Sequence, residues 1–318
     1  MNVRRLLGIV LCVFFLSACG LFMKKLPSGE IPDKTVKDHM VKVKGLDFHY
    51  TEYPGEGKTL VLLHGFGSST YTWEDMAAIL NKEGFHVYAL DIKGFGWSEK
   101  PLDSRYDVSA FMEDVDDWMD VMKIQKAVVV GNSMGGAITT LLSRHHPDRV
   151  DRMVLIDAGG YPMKLPLPIK MARLPLAGFF SKLYFGPWMI RMNLKQVMFD
   201  KTKVTEAKVN AYYKRMCSEN ALDIQIKTAR SIDFSKHSLI RDAARENNTK
   251  TLIIWGKNDK WIPLETVGYK FREDLVNSTL SVIPDCGHIP QEEKPEVTAK
   301  LISDFINDRP MNDDWPGK

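Results

Sequence analysis

Ala127-Val128-Val129-Val130-Gly131-Asn132-Ser133-Met134-Gly135-Gly136 is the stretch on which the fold of this chain turns. Four apolar residues in a row suit a strand buried on both faces of a sheet. The next residues read as a sharp turn into a helix. In so tight a turn, side chains flanking the serine would collide, so glycines stand two positions to either side. Strain in the turn exposes the Ser133 hydroxyl and sets a helix N-terminus beneath it. A bare G-x-S-x-G occurs by chance at glycine-rich strand ends. The strand before it and the helix after it supply the context in which the pattern presents a nucleophile.

Outward from this point the chain alternates. Leu60–Leu63 is a short apolar run ended by His64-Gly65, and Val87–Leu90 is another ended by Asp91. Met153–Ile156 and Leu252–Trp255 follow. Between the runs lie helical patterns, the clearest being Phe111, Val115, Trp118, Met119 and Met122. Glu113, Asp114 and Asp116 suit the first turns of that helix. Such alternation predicts a mostly parallel central sheet with helices on both faces. It stops over residues 159–245, a Pro-punctuated stretch rich in Leu, Met, Phe and Tyr. An inserted helical cap is the natural reading, set over the strand C-termini where open α/β sheets bind ligands. The core is thus expected in two parts, 39–158 and 246–308, with 309–318 as a tail.

A serine hydroxyl needs a base to act as a nucleophile. His288 follows a strand-like run, Thr279–Ile283, and Asp259 follows Leu252–Trp255. Ser133, Asp259 and His288 are the candidate catalytic residues. His288 would take and return the proton, and Asp259 would fix the imidazole tautomer. Asp157, also at a strand end, is the competing acid, though a strand-capping role fits it better. The backbone amides of Phe66 and Met134 are the candidate oxyanion donors. His64 reads as structural, packed under the Phe66 loop. No metal or cofactor is expected.

His64-Gly65-Phe66-Gly67, Asp91–Ser98, GNSMGG, Ile253–Pro263 and Cys286-Gly287-His288 occur in order. Together they resemble the α/β-hydrolase superfamily across residues 40–308. The resemblance implies a structural role for the Asp91 motif. Ser133 argues against the dehalogenase and epoxide-hydrolase branches, whose nucleophile is Asp. Two serine branches stay open. Esterases and lipases are favoured. The C–C bond hydrolases of aromatic ring-cleavage products share GNSMGG, but usually carry a longer HGGGPG-type loop and a Trp after the histidine. Here the loop is HGFGSS and the residue is Ile289. The expected function is hydrolysis of a small apolar ester through an acyl-enzyme. A non-catalytic binding role is the remaining alternative.

The N-terminus has a basic start, an apolar run Leu6–Phe15, and then Leu16-Ser17-Ala18-Cys19. The run is too short to span a bilayer. The sequence resembles the lipobox of bacterial lipoproteins, which implies a signal peptide over 1–18, a lipid on Cys19, and a tether over 19–38. Gly20 in place of Asp implies the outer membrane and a cell-envelope location. Several acyl chains would then anchor the protein to the membrane. This favours the esterase branch too, since ring-cleavage products arise in the cytoplasm. Lys and Arg number 43 against 40 Asp and Glu. Without Arg4 and Arg5 that is near balance, which gives no reason to expect nucleic acid as a partner. Cys217 and Cys286 remain outside the leader, and whether they pair is open.

The cap adds a hint about substrate. Phe179, Phe180, Tyr184, Phe185 and Trp188 stand in an apolar stretch, most of it expected to pack the cap on the core and some to line the pocket. Lys164, Lys170, Arg173, Lys182 and Arg191 interleave with it, as a solvated face or as a contact for an anionic membrane.

Overall fold

The computed structural model describes residues 27, 29–32, 34–232 and 239–317, without the side chains of 180–183. The leader, its Cys19 and the first part of the tether therefore lie outside the described residues. Among those described, eight strands form one sheet in the order β1-β2-β4-β3-β5-β6-β7-β8. They are β1 (Asp38–Val43), β2 (Leu46–Tyr53), β3 (Thr59–Leu63), β4 (His86–Leu90), β5 (Ala127–Asn132), β6 (Val150–Ile156), β7 (Thr251–Gly256) and β8 (Ser278–Ile283). Every pairing from β4 to β8 is parallel, while β1–β2 and β2–β4 are antiparallel. The fold class read from the sequence is the one observed.

The apolar runs are continuous because helices cover both faces. Leu60, Leu62, Val128, Val130, Leu252 and Ile254 point into one core cluster. Val61, Leu63, Val129, Leu155 and Ile253 alternate into the other. Each such side chain, fully removed from water, stabilises the fold by roughly 1.5–3 kcal/mol. The β1–β2 hairpin does not show this run, because its strands mix polar and apolar residues. It turns on Lys44-Gly45, both at positive φ (49° and 86°), the geometry that matches strand twist in tight hairpins.

The helix α1 (Glu74–Lys82) precedes β4, and α2 (Val108–Val121) precedes β5. The sequence pattern of α2 starts at Phe111, with acids in its first turns. The helix begins three residues earlier, because the Asp107 carboxylate caps it by accepting from Ala110 N at 3.0 Å, and its first turn holds no acid. The acids assigned to its first turns serve tertiary contacts instead: Asp114 pairs with Lys93 and Asp116 with Arg149.

Asp91, at the end of β4, is fully buried. It accepts from Thr70 N (2.6 Å) and Trp97 N (2.8 Å), and bonds His49 Nδ1 at 2.6 Å. Burial works against its charge, but the facing His49 overcomes this and holds the carboxyl far below the usual carboxylate range. The Asp91 motif thus pins two loops beneath the site. Among the described residues no helix is long and apolar enough to cross a membrane. Cys217 and Cys286 are both free thiols.

Candidate active site

β5 delivers Ser133 to the C-terminal edge of the sheet, and α3 (Met134–His145) starts directly after it. Ser133 sits at φ 55°, ψ −115°, a conformation that L-residues avoid and that the surroundings must enforce. The enforcement is visible. Ser133 N donates to Ile156 O at 3.0 Å, and Ser133 O accepts from Gly136 N and Gly159 N at 3.0 and 2.9 Å. A Cβ on Gly131 would collide with the Gly135 carbonyl, and one on Gly135 with the Leu63 carbonyl. The glycines flanking the serine are therefore fixed by close backbone approach.

His288 follows β8 and Asp259 follows β7. His288 Nδ1 bonds Asp259 Oδ2 at 2.6 Å. Asp259 Oδ1 accepts from Trp261 N (2.7 Å) and Ile262 N (3.1 Å). The carboxylate is thereby oriented. Nδ1 being taken, Nε2 stays uncommitted among the described residues. Ser133 and His288 line the same cavity, as do Phe66 and Met134. Neither the Phe66 nor the Met134 amide donates to another described residue. The five residues picked from the sequence thus converge. His64 does not join them: it is buried, bonds Gly65 O at 2.8 Å through Nδ1 and accepts from Ile92 N at 3.1 Å. Burial pushes its pKa down, so it is a neutral strut under the Phe66 loop.

Three further elements hold the site: Asn132, Asp157, which the sequence marked only as a strand-end acid, and the Glu292–Glu293 pair; sequence patterns gave no signal for the first and last. Asn132 Nδ2 donates to both Ile156 O and His288 O at 3.1 Å, tying the elbow to the histidine segment. Asp157 lies at the end of β6 with φ 44° and is fully buried. It accepts from Gly256 N at 3.1 Å and is hydrogen-bonded to Asp259. Burial, then the Asp259 charge, push its carboxyl well above the ordinary range. It is therefore a neutral acid that donates to Asp259 from behind. Trp261 stands 5.8 Å from the His288 ring, centroid to centroid.

The third holding element follows His288 directly. Glu293 accepts from Gly287 N (2.8 Å), Phe199 N (3.0 Å) and Asp200 N (2.5 Å). Glu292, nearly buried, accepts from Thr72 Oγ1 at 2.7 Å and bonds Tyr212 Oη and Lys208 Nζ. His288 N donates to Val197 O at 2.7 Å. Two adjacent carboxylates thus clamp the cap stretch 197–212 to the segment carrying the histidine.

Asp157, Asp259 and His288 bring their donor atoms within 4.8 Å of one another, close enough to share a metal ion. His288 Nδ1 and both Asp259 oxygens are already engaged in the hydrogen bonds above, so the cluster reads as a proton-holding one. The cap helices α4 (Leu167–Ala172), α5 (Ala177–Tyr184), α6 (Pro187–Val197), α7 (Glu206–Met216), α8 (Ala221–Ser231) and α9 (Leu239–Arg245) lie between β6 and β7 in the chain. With the core they enclose a cavity of about 650 Å³. Among the described residues its lining contains no Lys, Arg, Asp or Glu; Ser133, His288, Asn132, Asn193, Gln225 and Tyr212 supply the main polar atoms. Of the cap aromatics singled out above, Tyr184, Phe185 and Trp188 line it, Phe179 is exposed on the outer surface, and the Phe180 side chain lies outside those described.

Comparison with known proteins agrees with this geometry. Residues 58–295 match the family model of the alpha/beta hydrolase fold. The 2-hydroxy-6-oxononadienedioate/2-hydroxy-6-oxononatrienedioate hydrolase of Escherichia coli O81 (strain ED1a) is 30% identical over 277 residues, covering 83% of this chain and 92% of its own. Among solved structures, the meta-cleavage product hydrolase CumD from Pseudomonas fluorescens IP01 superposes with TM-score 0.74 at 25% identity, over 85% of this chain and 97% of that one. A membrane phospholipase A described as a bacterial virulence factor superposes with TM-score 0.70 at 26% identity, over 96% of this chain and 99% of that one.

Proposed function

The chain belongs to the alpha/beta hydrolase fold family and is a hydrolase, and from that premise we propose that it is a serine carboxylic ester hydrolase acting on apolar acyl esters. The observation that carries this is a cavity whose described lining residues include no charged side chain. One similar protein is named a meta-cleavage product hydrolase, and the name of another specifies a dioate, a dianion. Burying a carboxylate without a cationic partner is heavily unfavourable. An acyl chain with a neutral ester needs no such partner. The likeness to the phospholipase A supports the same direction.

In this reading Ser133 Oγ attacks the ester carbonyl as His288 Nε2 removes its proton. The Phe66 and Met134 amides receive the oxyanion, each such donor being worth about 10²- to 10³-fold in rate. Collapse breaks the C–O bond, and His288 returns the proton to the departing alcohol. Water, deprotonated by His288, then releases the acid from Ser133. Asp259 stabilises the imidazolium throughout. A non-catalytic binding role leaves the strain at Ser133 and the oriented His288–Asp259 pair without a purpose.

The test is a panel of p-nitrophenyl esters of graded chain length beside a ring-fission dienoate. Esters of short to medium chain are expected to have the higher kcat/KM, by at least about tenfold. Faster turnover of the dienoate would move the assignment to the C–C hydrolases, the reading their likeness supports. Cys19 is proposed as the lipid attachment site that holds the protein in the cell envelope, at the outer membrane. Fatty-acid labelling of the wild type but not of Cys19→Ser is the expected result; equal labelling of both would refute it.

A further inference from the structure

The cap presents an unusual combination on its outer side. Leu167, Met171, Leu174, Leu176, Phe179 and Trp188 are each more than half exposed. Of the fifteen exposed large apolar residues among those described, eight fall within residues 167–192. That clustering is unlike singly scattered surface apolar residues, which need no explanation. Leu167, Met171, Leu174 and Trp188 also line the cavity. They are therefore its rim, and the cavity mouth opens through the apolar patch.

Charge follows the same boundary. From Ala158 to Phe199 the chain contains six Lys and Arg and not one Asp or Glu. The whole chain has 43 and 40, so the remaining residues carry 37 cations and 40 anions. Lys164, Lys170, Arg173 and Lys195 are exposed. Arg191 of this stretch is paired with Glu206, but the exposed Lys164, Lys170, Arg173 and Lys195 beside the apolar patch complement an anionic lipid surface. We infer that the rim formed by α4, α5 and the start of α6 docks on an anionic membrane, so that an acyl chain passes from the bilayer into the cavity without crossing water. Docking stands on the patch and its charge; only the transfer of an ester rests on the function proposed above.

The experiment uses the full chain reconstituted with vesicles. Brominated phosphatidylcholine is mixed with phosphatidylglycerol in one arm and is alone in the other. Quenching in the wild type is compared with Trp188→Phe. The Trp188 contribution is expected to be quenched in the anionic arm and weakly in the neutral one. Each cation near such a surface contributes about fivefold to binding. In Lys170→Glu/Arg173→Glu, hydrolysis of a vesicle-embedded ester is thus expected to fall by at least tenfold. A water-soluble short ester should change by less than about twofold, since neither residue lines the cavity. Equal quenching of wild type and Trp188→Phe in anionic vesicles would overturn the inference. So would a dimer, or the apolar segment Leu6–Phe15, covering the rim in place of lipid. Quenching needs no turnover, so failure of docking and failure of the esterase reading are separable.

Discussion

Ser133→Gly is expected to lower kcat on a short ester by roughly 10⁴- to 10⁶-fold while raising the unfolding temperature. The first effect follows from losing the nucleophile: a triad without it retains only the contribution of the oxyanion donors and binding. The second follows from φ 55°, ψ −115° at Ser133. An L-residue held there costs on the order of 1–3 kcal/mol, and glycine is free of that cost. Glycine loses more backbone entropy on folding, by about 0.5–1 kcal/mol. The net gain is about 1 kcal/mol. Ser133→Ala should lose the same activity without gaining stability, since alanine keeps the strain. Thermal unfolding and ester kinetics on the three proteins decide it. Activity retained by Ser133→Ala would remove the serine from the mechanism. A lower unfolding temperature for Ser133→Gly would remove the strain argument instead.

Asp259→Asn is expected to reduce kcat by about 10⁴-fold, because the amide favours the wrong imidazole tautomer. Asp157 makes the further behaviour specific to this site. Alone, Asp157→Asn should leave kcat within a few-fold, since an amide N–H can donate to Asp259 as the neutral acid does. With Asp259 neutralised, part of what holds Asp157 protonated disappears. Asp157 can then ionise and supply some of the lost charge. The double variant should therefore be less active than Asp259→Asn by more than Asp157→Asn alone predicts. Strict additivity would show that the two carboxyls do not share a proton. Stability gives an independent check. The Asp157 carboxyl is raised in the folded state from an ordinary value of 3.8. The folded protein thus keeps a proton that the unfolded chain gives up above about pH 4. Stability from this group is intact below that pH and falls as pH rises. Asp157→Asn cannot titrate, so its unfolding temperature should gain on the wild type as pH rises above about 4, and then level off. A pH-independent difference would contradict the shifted carboxyl.

The parts of the fold legible in the sequence were those written in local pattern. β5 and β7 are buried on both faces, so Ala127–Val130 and Leu252–Trp255 are apolar without a break and the runs are unmistakable. The elbow is local because its glycines answer to backbone atoms within a few residues and to β3. The β1–β2 hairpin was less legible, since edge position leaves its residues of mixed character. The acids of α2 were given to its N-terminus because acids used in tertiary ion pairs look the same as acids serving a helix terminus. Asn132 gave no sign of holding His288, nor Glu292 of reaching Tyr212, because those partners lie 156 and 80 residues away. The uncharged cavity was invisible for a similar reason. The cap's cations are plain in the sequence, but which side of each helix they take is set by packing.

The clamp formed by Glu292 and Glu293 divides the cap into two regions with different freedom to diverge. Stretch 197–212 is tied to the backbone that carries His288. Substitutions there would disturb chemistry and roof together, so variation in that half is expected to be purged. Stretch 163–192 supplies the largest single share of the cavity wall and rim, yet none of the hydrogen bonds described above tie it to His288. A lineage can alter which acyl group fits by changing that half while leaving turnover intact. The same partition tells an engineer where to draw the boundaries of a cap exchange: after Gly159, and before Val197.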